Sequence, residues 1–174
     1  MISIISGKYK GKKLYSIKKT NVRPTQAKVR KSIFQILEPF NNMIVLDLFA
    51  GFGTLGIEAL SRGAEKVIFV EQNKLIFQTL KKNINLLNLS NCEYFLTDAI
   101  QFLPYTKTSY FDIIFADPPY SFKDYLSLRE SVIPLLNDDG SFCMETSKRT
   151  KTDGTEHRVR EFGNTKIIFW RNKS

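Results

Sequence analysis

The amino-acid sequence predicts an α/β fold in which a mostly parallel sheet is covered by helices on both faces. Three observations support this prediction. Apolar strand-like runs alternate with amphipathic helix-like segments from residue 44 to residue 145, most strands are continuously apolar, and a glycine-rich turn joins the first strand to its helix. Two further strands around Gly163-Asn164 predict a C-terminal hairpin that adds an antiparallel strand to the sheet.

The elements are expected in the following order along the chain. Residues 3–14 predict a short hairpin, and Thr25 is a candidate cap for a helix over residues 26–37, which Pro39 ends. The expected strands cover residues 44–49, 66–70, 94–96, 111–116, 141–145, 158–162 and 166–170. The expected helices cover residues 54–61, 73–87, 98–103 and 122–136.

Length and composition favour one globular domain over residues 1–174, with residues 1–22 as a basic hairpin extension. Of the 174 residues, 43% are hydrophobic, which is enough for one core of ordinary size. No apolar run approaches the roughly 20 residues that span a bilayer, and the N-terminus lacks the order of a signal peptide. We therefore expect a cytoplasmic monomer without a membrane partner. Cys92 and Cys143 have no metal-ligand spacing, so no metal site is expected.

The net charge of +9 is concentrated near the N-terminus. Residues 1–35 hold ten lysines and arginines and no acidic residue, whereas the rest of the chain is close to neutral. Such a block is a candidate binding surface for phosphates, although a solvated arm that binds nothing would have the same composition. The residues expected to contact phosphates are Lys8, Lys10, Lys12, Lys13, Arg23 and Arg30.

The segment between the first strand and its helix matches the pattern G-x-G-x-x-G, with glycines at Gly51, Gly53 and Gly56. Glycines at these positions allow a tight turn and let a ligand approach the backbone. Glu71 ends the next strand, where a carboxylate can accept hydrogen bonds from both hydroxyls of a ribose. The pattern fits a dinucleotide or any adenosyl ligand, and tight packing alone would also require small residues.

Two acidic residues favour S-adenosylmethionine as the cofactor. Asp47 precedes the glycine turn, where a negative charge suits a cationic ligand better than a pyrophosphate, although it is also placed to accept amides of the loop. Asp98-Ala99 follows the third strand, where the carboxylate suits the amino group of adenine, caps the following helix, or does both.

A second motif follows the fourth strand, with the sequence Asp117-Pro118-Pro119-Tyr120. In open sheets of this kind, ligands bind beyond the carboxyl ends of the strands. The Asp117 carboxylate and the rigid Pro118 carbonyl can accept both hydrogens of an exocyclic amino group, while Tyr120 stacks on the base. These three residues are therefore the candidate catalytic residues of a nucleobase methyltransferase.

The chain resembles the bacterial 16S ribosomal RNA guanine-N2 methyltransferases of the RsmD type over nearly its whole length. The resemblance lies in Ile5-Ser6-Gly7, Gly11 to Leu14, Arg23-Pro24-Thr25, Val29-Arg30, Asp47 to Gly51, Leu55 to Ala64, Glu71, Asp117 to Tyr120 and Phe162-Gly163. It implies a class I S-adenosylmethionine-dependent methyltransferase (Rossmann-like) fold and methylation of the N2 amino group of one guanine. The substrate it implies is 16S ribosomal RNA or a small-subunit particle.

The resemblance also implies roles for individual residues. The residues implied to bind the cofactor are Asp47, Gly51, Gly53, Glu71 and Asp98. Thr25 is implied to approach the same site from the N-terminal side. The residues implied to bind the target base are Asp117, Pro118 and Tyr120, and the basic hairpin is implied to contact RNA. Two residues depart from the usual pattern: Phe52 replaces a serine between two glycines, and Asn73 replaces a second acid after Glu71. These departures bear on cofactor affinity rather than on the type of reaction.

Two other functions stay open. A DNA adenine-N6 methyltransferase would also use Asp117 to Tyr120, but such enzymes generally need an added segment that reads DNA, and only 18 residues separate Asp98 from Asp117. A catalytically inactive RNA-binding factor for ribosome assembly is the other alternative, and the intact Glu71 and Asp117 argue against it. Methylation of RNA and DNA side by side tests the first alternative, and cofactor titration tests the second.

Overall fold

The computed structural model describes residues 2–17, 25–119 and 121–173. Within these ranges, a seven-stranded sheet carries helices on both faces and a separate two-stranded hairpin precedes it. The hairpin strands are β1 (Ile2–Ser3) and β2 (Lys13–Leu14). The sheet strands are β3 (Ile44–Leu48), β4 (Lys66–Glu71), β5 (Cys92–Leu96), β6 (Phe111–Ala116), β7 (Leu136–Ser147), β8 (Arg158–Phe162) and β9 (Thr165–Arg171). The helices are α1 (Ala27–Leu37), α2 (Thr54–Ser61), α3 (Lys74–Leu86), α4 (Ala99–Phe102) and α5 (Tyr125–Val132).

The sheet has the strand order β5-β4-β3-β6-β7-β9-β8. The five strands from β5 to β7 are parallel, β9 is antiparallel to β7, and β8 is antiparallel to β9. The prediction of a mostly parallel sheet with an antiparallel C-terminal strand is therefore confirmed. The chain starts in the middle at β3, moves outward to β5 and returns to β6 on the other side of β3. This reversal opens a crevice at the carboxyl ends of β3 and β6.

Each face of the sheet has its own apolar core, which explains why the strands are continuously apolar. Val45 on β3 packs with α1, α2 and α3 on one face, whereas Leu46 packs with α4 and α5 on the other. Phe69 and Val70 on β4 divide between the faces in the same way. In the part of the chain described, no helix is long and apolar enough to cross a membrane.

The predicted bounds of two elements on the C-terminal side, a helix and a strand, were wrong. The helix expected over residues 122–136 begins at Tyr125, because the Asp124 side chain accepts the amide of Ser127 and caps it, and it gives way after Val132 to a 3₁₀ turn that contains Pro134. The strand expected over residues 141–145 extends from Leu136 to Ser147. Its polar residues 137–140 resemble a loop, but they form a bulge in the pairing with β6.

The start of α1 also differs from the prediction. Gln26, not Thr25, precedes the first helical residue, and no side chain among the described residues caps this helix. The Thr25 hydroxyl instead donates a hydrogen bond to Oδ2 of Asp117, at 3.1 Å. A tertiary contact with the end of β6 has therefore taken the place of the local cap.

The N-terminal hairpin is bound to one side of α2 by polar contacts. Both carboxylate oxygens of Glu58 accept backbone amides, from Ile5 at 2.7 Å and from Ser6 at 2.9 Å. Farther along the helix, the Ser61 hydroxyl accepts the amide of Tyr9 at 3.0 Å and donates to the carbonyl of Ser6 at 2.5 Å. Glu58 is 1% exposed, so these bonds form where water does not compete.

The predicted phosphate contact by Arg30 was wrong. Arg30 is 3% exposed, and its Nη2 donates to the carbonyl of Ser3 at 2.8 Å. Its guanidinium group thus binds the backbone of the hairpin and is not available to a ligand. The reason is its place on α1, since Arg30 follows Val29 on the face that packs into the core.

Gly7 and Gly11 provide a matched test of this docking. Both have φ near +80°, but a Cβ on Gly7 would lie 1.7 Å from the carbonyl oxygen of Ser61, whereas a Cβ on Gly11 would meet nothing within 4 Å. We predict that Gly11→Ala lowers the free energy of unfolding by about 1–2 kcal/mol, the cost of a left-handed backbone. Gly7→Ala adds the cost of displacing the hairpin from α2. Urea unfolding measures both, and equal losses would contradict the close approach.

Candidate active site

A cavity of about 440 Å³ opens at the carboxyl ends of β3, β4, β6 and β7. Its size suits a small ligand such as a nucleoside derivative. Four carboxylates from these strand ends contribute to its wall: Asp47, Glu71, Asp117 and Glu145. The glycine loop between β3 and α2 forms one side, and Pro118 and Pro119 form another.

The backbone conformation or a close contact explains why each of these positions is a glycine. Gly51 and Gly53 adopt φ of 58° and 83°, which side chains disfavour. A Cβ on Gly53 would lie 2.4 Å from a methyl group of Leu80. A Cβ on Gly56 would lie 2.2 Å from the ring of Phe69, so this glycine lets α2 approach β4 closely. The glycines therefore have the roles typical of a nucleotide-binding turn, which are a tight turn and close packing of the helix on the sheet.

Two buried carboxylates fix the position of the loop. Oε2 of Glu71 accepts the amide of Gly51, and Oδ2 of Asp47 accepts the amide of Gly56, both at 2.9 Å. Oε1 of Glu71 also accepts the amide of Asn73 at 2.7 Å. The interpretation of Asp47 as an acceptor of loop amides is thus confirmed, while its contact with a cofactor stays a prediction.

Burial raises the pKa of both carboxyl groups. The pKa of Asp47 rises to about 7 because the group is removed from water, its hydrogen bond from Gly56 opposes this, and the charge of Glu71 adds to the rise. Burial also raises the pKa of Glu71, against three backbone hydrogen bonds that lower it. A cationic ligand beside these groups would favour their ionised forms.

Asp98 caps α4, which confirms one of the two roles predicted for it. Its Oδ1 accepts the amides of Ile100 and Gln101, at 2.9 and 3.1 Å. Thr97 and Ala99 contribute to the cavity wall, whereas Asp98 between them does not. The cap uses Oδ1, so Oδ2 is the atom that would serve the predicted contact with adenine.

The two departures from the family pattern leave the loop intact. The Phe52 side chain is 2% exposed, and its carbonyl accepts a hydrogen bond from Nδ2 of Asn83 at 2.9 Å. Asn73 caps α3, because its Oδ1 accepts the amides of Leu75 and Ile76. An amide oxygen performs this cap as an acid would.

The predicted base-binding motif lies across the cavity from Glu71. Asp117 accepts a hydrogen bond from Thr25, and Pro118 is buried beside it in the cavity wall. Burial and the neighbouring charge of Glu145 raise the pKa of Asp117 well above its usual range, although the bond from Thr25 opposes this. Tyr120 lies outside the described residues, so its stacking role stays a prediction.

Glu145 and Thr165 contribute to the cavity but were not predicted. Glu145 lies near the end of β7, and its register places it beside the residue that follows Ala116 on β6. The rule that led to Asp117, an acid at the carboxyl end of a parallel strand, also applies to Glu145. Thr165 begins the antiparallel strand β9, and only the strand order places it here.

Four of the six predicted phosphate contacts are exposed on the N-terminal hairpin or its edge: Lys8, Lys10, Lys12 and Lys13. Arg23 lies outside the described residues, and Arg30 is buried as described above. The tip of the hairpin is bound to Ser61 at the far end of α2, where the carbonyl of Ser61 accepts the amide of Lys8 at 2.7 Å. The tip is therefore set apart from the cavity.

Residues 2–171 match the model of a protein family described as Conserved hypothetical protein 95. The chain belongs to this family. Its relatives include Ribosomal RNA small subunit methyltransferase D of Buchnera aphidicola, 45% identical over 120 residues that cover 68% of this chain and 63% of that protein. The protein of the same name from Escherichia coli is 37% identical over 140 residues, which cover 80% of this chain and 68% of that protein. The resemblance inferred from the motifs is thus confirmed.

The family fold is also found in a solved structure. A protein from Escherichia coli described as a candidate methyltransferase, YhhF, superposes with a TM-score of 0.87 and 29% identity, covering 99% of this chain and 98% of that one. The predicted class I methyltransferase fold is therefore confirmed for this family member.

The raised pKa of Asp47 predicts a pH dependence of stability. A carboxyl group whose pKa rises on folding from 3.8 to about 7 stabilises the fold most at low pH. That contribution is lost as the pH rises through this window, at up to about 1.4 kcal/mol per pH unit. We expect Asp47→Asn to flatten the fall in unfolding free energy of the ligand-free protein, measured by urea denaturation. Asp138→Asn, at an exposed acid, is the control. Equal slopes for wild type and Asp47→Asn would contradict the shift.

Proposed function

We propose that this protein transfers a methyl group from S-adenosylmethionine to the exocyclic N2 amino group of a guanine in 16S ribosomal RNA. The observation that carries the proposal is the position of Asp117 and Pro118 in the wall of the cavity whose other side is the glycine loop and Glu71. Two of the family relatives carry small-subunit ribosomal RNA methyltransferase in their names. We propose that it acts as a cytoplasmic monomer on the free RNA or on a small-subunit particle.

The residues on the β3–β4 side fit S-adenosylmethionine. In this proposal Glu71 accepts the ribose hydroxyls, Asp98 and Ala99 contact the adenine, and the glycines allow the backbone to approach the ligand. The negative charge of Asp47 suits a sulfonium cation. When bound, S-adenosylmethionine supplies a methyl group attached to that sulfonium.

The residues on the β6–β7 side fit an aromatic amine. The N2 lone pair of guanine is delocalised into the ring, which makes this nitrogen a weak nucleophile. The Asp117 carboxylate and the Pro118 carbonyl can each accept one of its hydrogens, which orients the lone pair toward the methyl group. As the new N–C bond forms and the S–C bond breaks, the nitrogen loses one proton. Asp117 is the nearest proposed acceptor, since its raised pKa makes it a better base.

Thr25 has a positioning role in this arrangement. Its hydroxyl donates to Oδ2 of Asp117, which holds the carboxylate in one orientation and leaves Oδ1 to meet the amine. Thr25 is 4% exposed, so the bond is shielded from water. We therefore assign Thr25 to the orientation of Asp117 in addition to its predicted place near the cofactor.

Two substitutions test whether the β3–β4 side of the cavity binds the cofactor and the β6–β7 side binds the target base. Asp117→Ala should abolish transfer of labelled methyl groups to small-subunit RNA, a loss of about 10²–10⁴-fold or more, while cofactor affinity stays close to that of the wild type. Glu71→Gln should instead weaken cofactor affinity by about 10–100-fold. Isothermal titration with S-adenosylhomocysteine gives the affinities. If Asp117→Ala lost affinity and activity equally, its role would be structural and the proposal would fail.

The hairpin lysines provide a second test, because they contribute to the affinity for RNA and not to the chemistry. Reversal of charge by Lys10→Glu, Lys12→Glu and Lys13→Glu should weaken RNA binding and reduce its dependence on salt concentration. Cofactor affinity should not change, since the tip of the hairpin lies apart from the cavity. An unchanged salt slope would refute the phosphate contacts of the hairpin.

A further inference from the structure

The mouth of the cavity presents an electrostatic difficulty for an RNA substrate. Four carboxylates line the cavity, and among the described lining residues there is no lysine or arginine. When these carboxyl groups are ionised, a polyanionic strand that delivers a base to this site approaches a region of like charge. Cations close to the mouth would be needed to offset this repulsion.

The N-terminal hairpin does not supply these cations where they are needed. Its tip is bound at Ser61, seven residues along α2 from Thr54, which contributes to the cavity wall. At 1.5 Å per residue, this separation is about 10 Å along the helix axis. Lys8 and Lys10 are thus suited to phosphates some distance from the target base.

A second basic segment lies closer to the cavity, at the end of β7 and in the turn that follows, which we call the β7 turn (residues 147–151). Ser147 is two residues beyond Glu145, and its partner on β9, Thr165, is another residue of the cavity wall. The amide of Lys148 donates to the carbonyl of Asn164 at 2.9 Å, so the turn continues the edge of the sheet. The β7 turn therefore lies on the β6–β7 side, where we place the target base.

The β7 turn is held in one conformation by a set of hydrogen bonds. The amide of Thr150 donates to the carbonyl of Ser147 at 2.9 Å, and the hydroxyls of Thr146 and Thr150 lie 2.8 Å apart. Nζ of Lys166, a residue that is 8% exposed, donates to the carbonyl of Thr150 at 2.7 Å. A turn built in this way presents its remaining side chains without a further cost of ordering the backbone.

Two of those side chains are cations available to a ligand. Arg149 and Lys151 are exposed, and neither forms an ion pair with another described residue. Lys148, by contrast, pairs with Glu161 at 3.2 Å. The β7 turn thus combines a fixed backbone, two unpaired positive charges and a position beside the cavity.

We propose that Arg149 and Lys151 bind phosphates of the RNA strand on either side of the methylated base. They would hold the strand on the β6–β7 side while the base enters the cavity. This proposal rests on the proposed function, because it requires an RNA substrate. It assigns the nearest phosphate contacts to a segment separate from the basic N-terminal block.

The test compares two double variants of the full chain with equal loss of charge. Arg149→Ala/Lys151→Ala removes the β7 turn cations, and Lys107→Ala/Lys173→Ala removes two exposed cations at the opposite, amino edge of the sheet. Methyl transfer to small-subunit RNA is measured over a range of salt concentrations. We expect the first variant to raise KM and to reduce the salt slope by about 1.4, at roughly 0.7 for each phosphate contact with a single strand. kcat and the affinity for S-adenosylhomocysteine should not change.

The charge-conserving variant Arg149→Lys/Lys151→Arg should retain most of the wild-type salt slope, which separates a charge effect from misfolding. If the Arg149→Ala/Lys151→Ala variant matched the Lys107→Ala/Lys173→Ala control while the wild type methylated RNA, the β7 turn proposal would be overturned and the proposed function would stand. If the wild type transferred no methyl group to RNA, both would be overturned.

Discussion

Two hydrogen bonds attach the glycine loop and the first turn of α2 to buried carboxylates at the ends of β3 and β4. Gly51 donates to Glu71 and Gly56 donates to Asp47, so the loop is attached to the ends of two neighbouring strands. A backbone amide that is buried without a partner costs about 1–3 kcal/mol, and these two carboxylates satisfy such amides at the turn. The same contacts fix the direction in which α2 leaves the sheet.

The position of α2 determines the position of the N-terminal hairpin. Glu58 and Ser61 on α2 bind the hairpin backbone, which gives a physical reason for the run from Glu58 to Ala64 that contributes to the family resemblance. Asn83 forms a second link, because its Oδ1 accepts the amide of Tyr15 while Nδ2 donates to the carbonyls of Tyr15 and Phe52. The basic hairpin and the glycine loop are therefore parts of one hydrogen-bonded unit.

Much of the fold was predictable from the sequence because its signals are local. The order of strands and helices follows from apolar periodicity, and the edge where ligands bind follows from the parallel connections. Asp47, Gly51, Glu71 and Asp117 meet in one cavity because each lies at or just beyond the end of a parallel strand. A rule about strand ends needs no knowledge of the tertiary contacts.

The predictions that were wrong concern residues whose positions depend on tertiary contacts. Arg30 was counted with the surface charges, but its burial depends on the contact between α1 and the hairpin. Thr25 looked like a helix cap, and its contact with Asp117 joins residues 92 positions apart. The basic β7 turn was hidden by the near-neutral charge of the C-terminal part, since Lys148 is offset by Glu161 and only the structure shows which cations are unpaired.

The identity of the methylated atom decides the function, since an amine held by Asp117 and Pro118 could belong to guanine or to adenine. The most direct measurement is mass spectrometry of nucleosides from small-subunit RNA and from double-stranded DNA, each incubated with the protein and isotopically labelled S-adenosylmethionine. We predict labelled N2-methylguanosine from the RNA and no label in the DNA. Labelled N6-methyladenine in the DNA, with unlabelled RNA, would contradict this prediction.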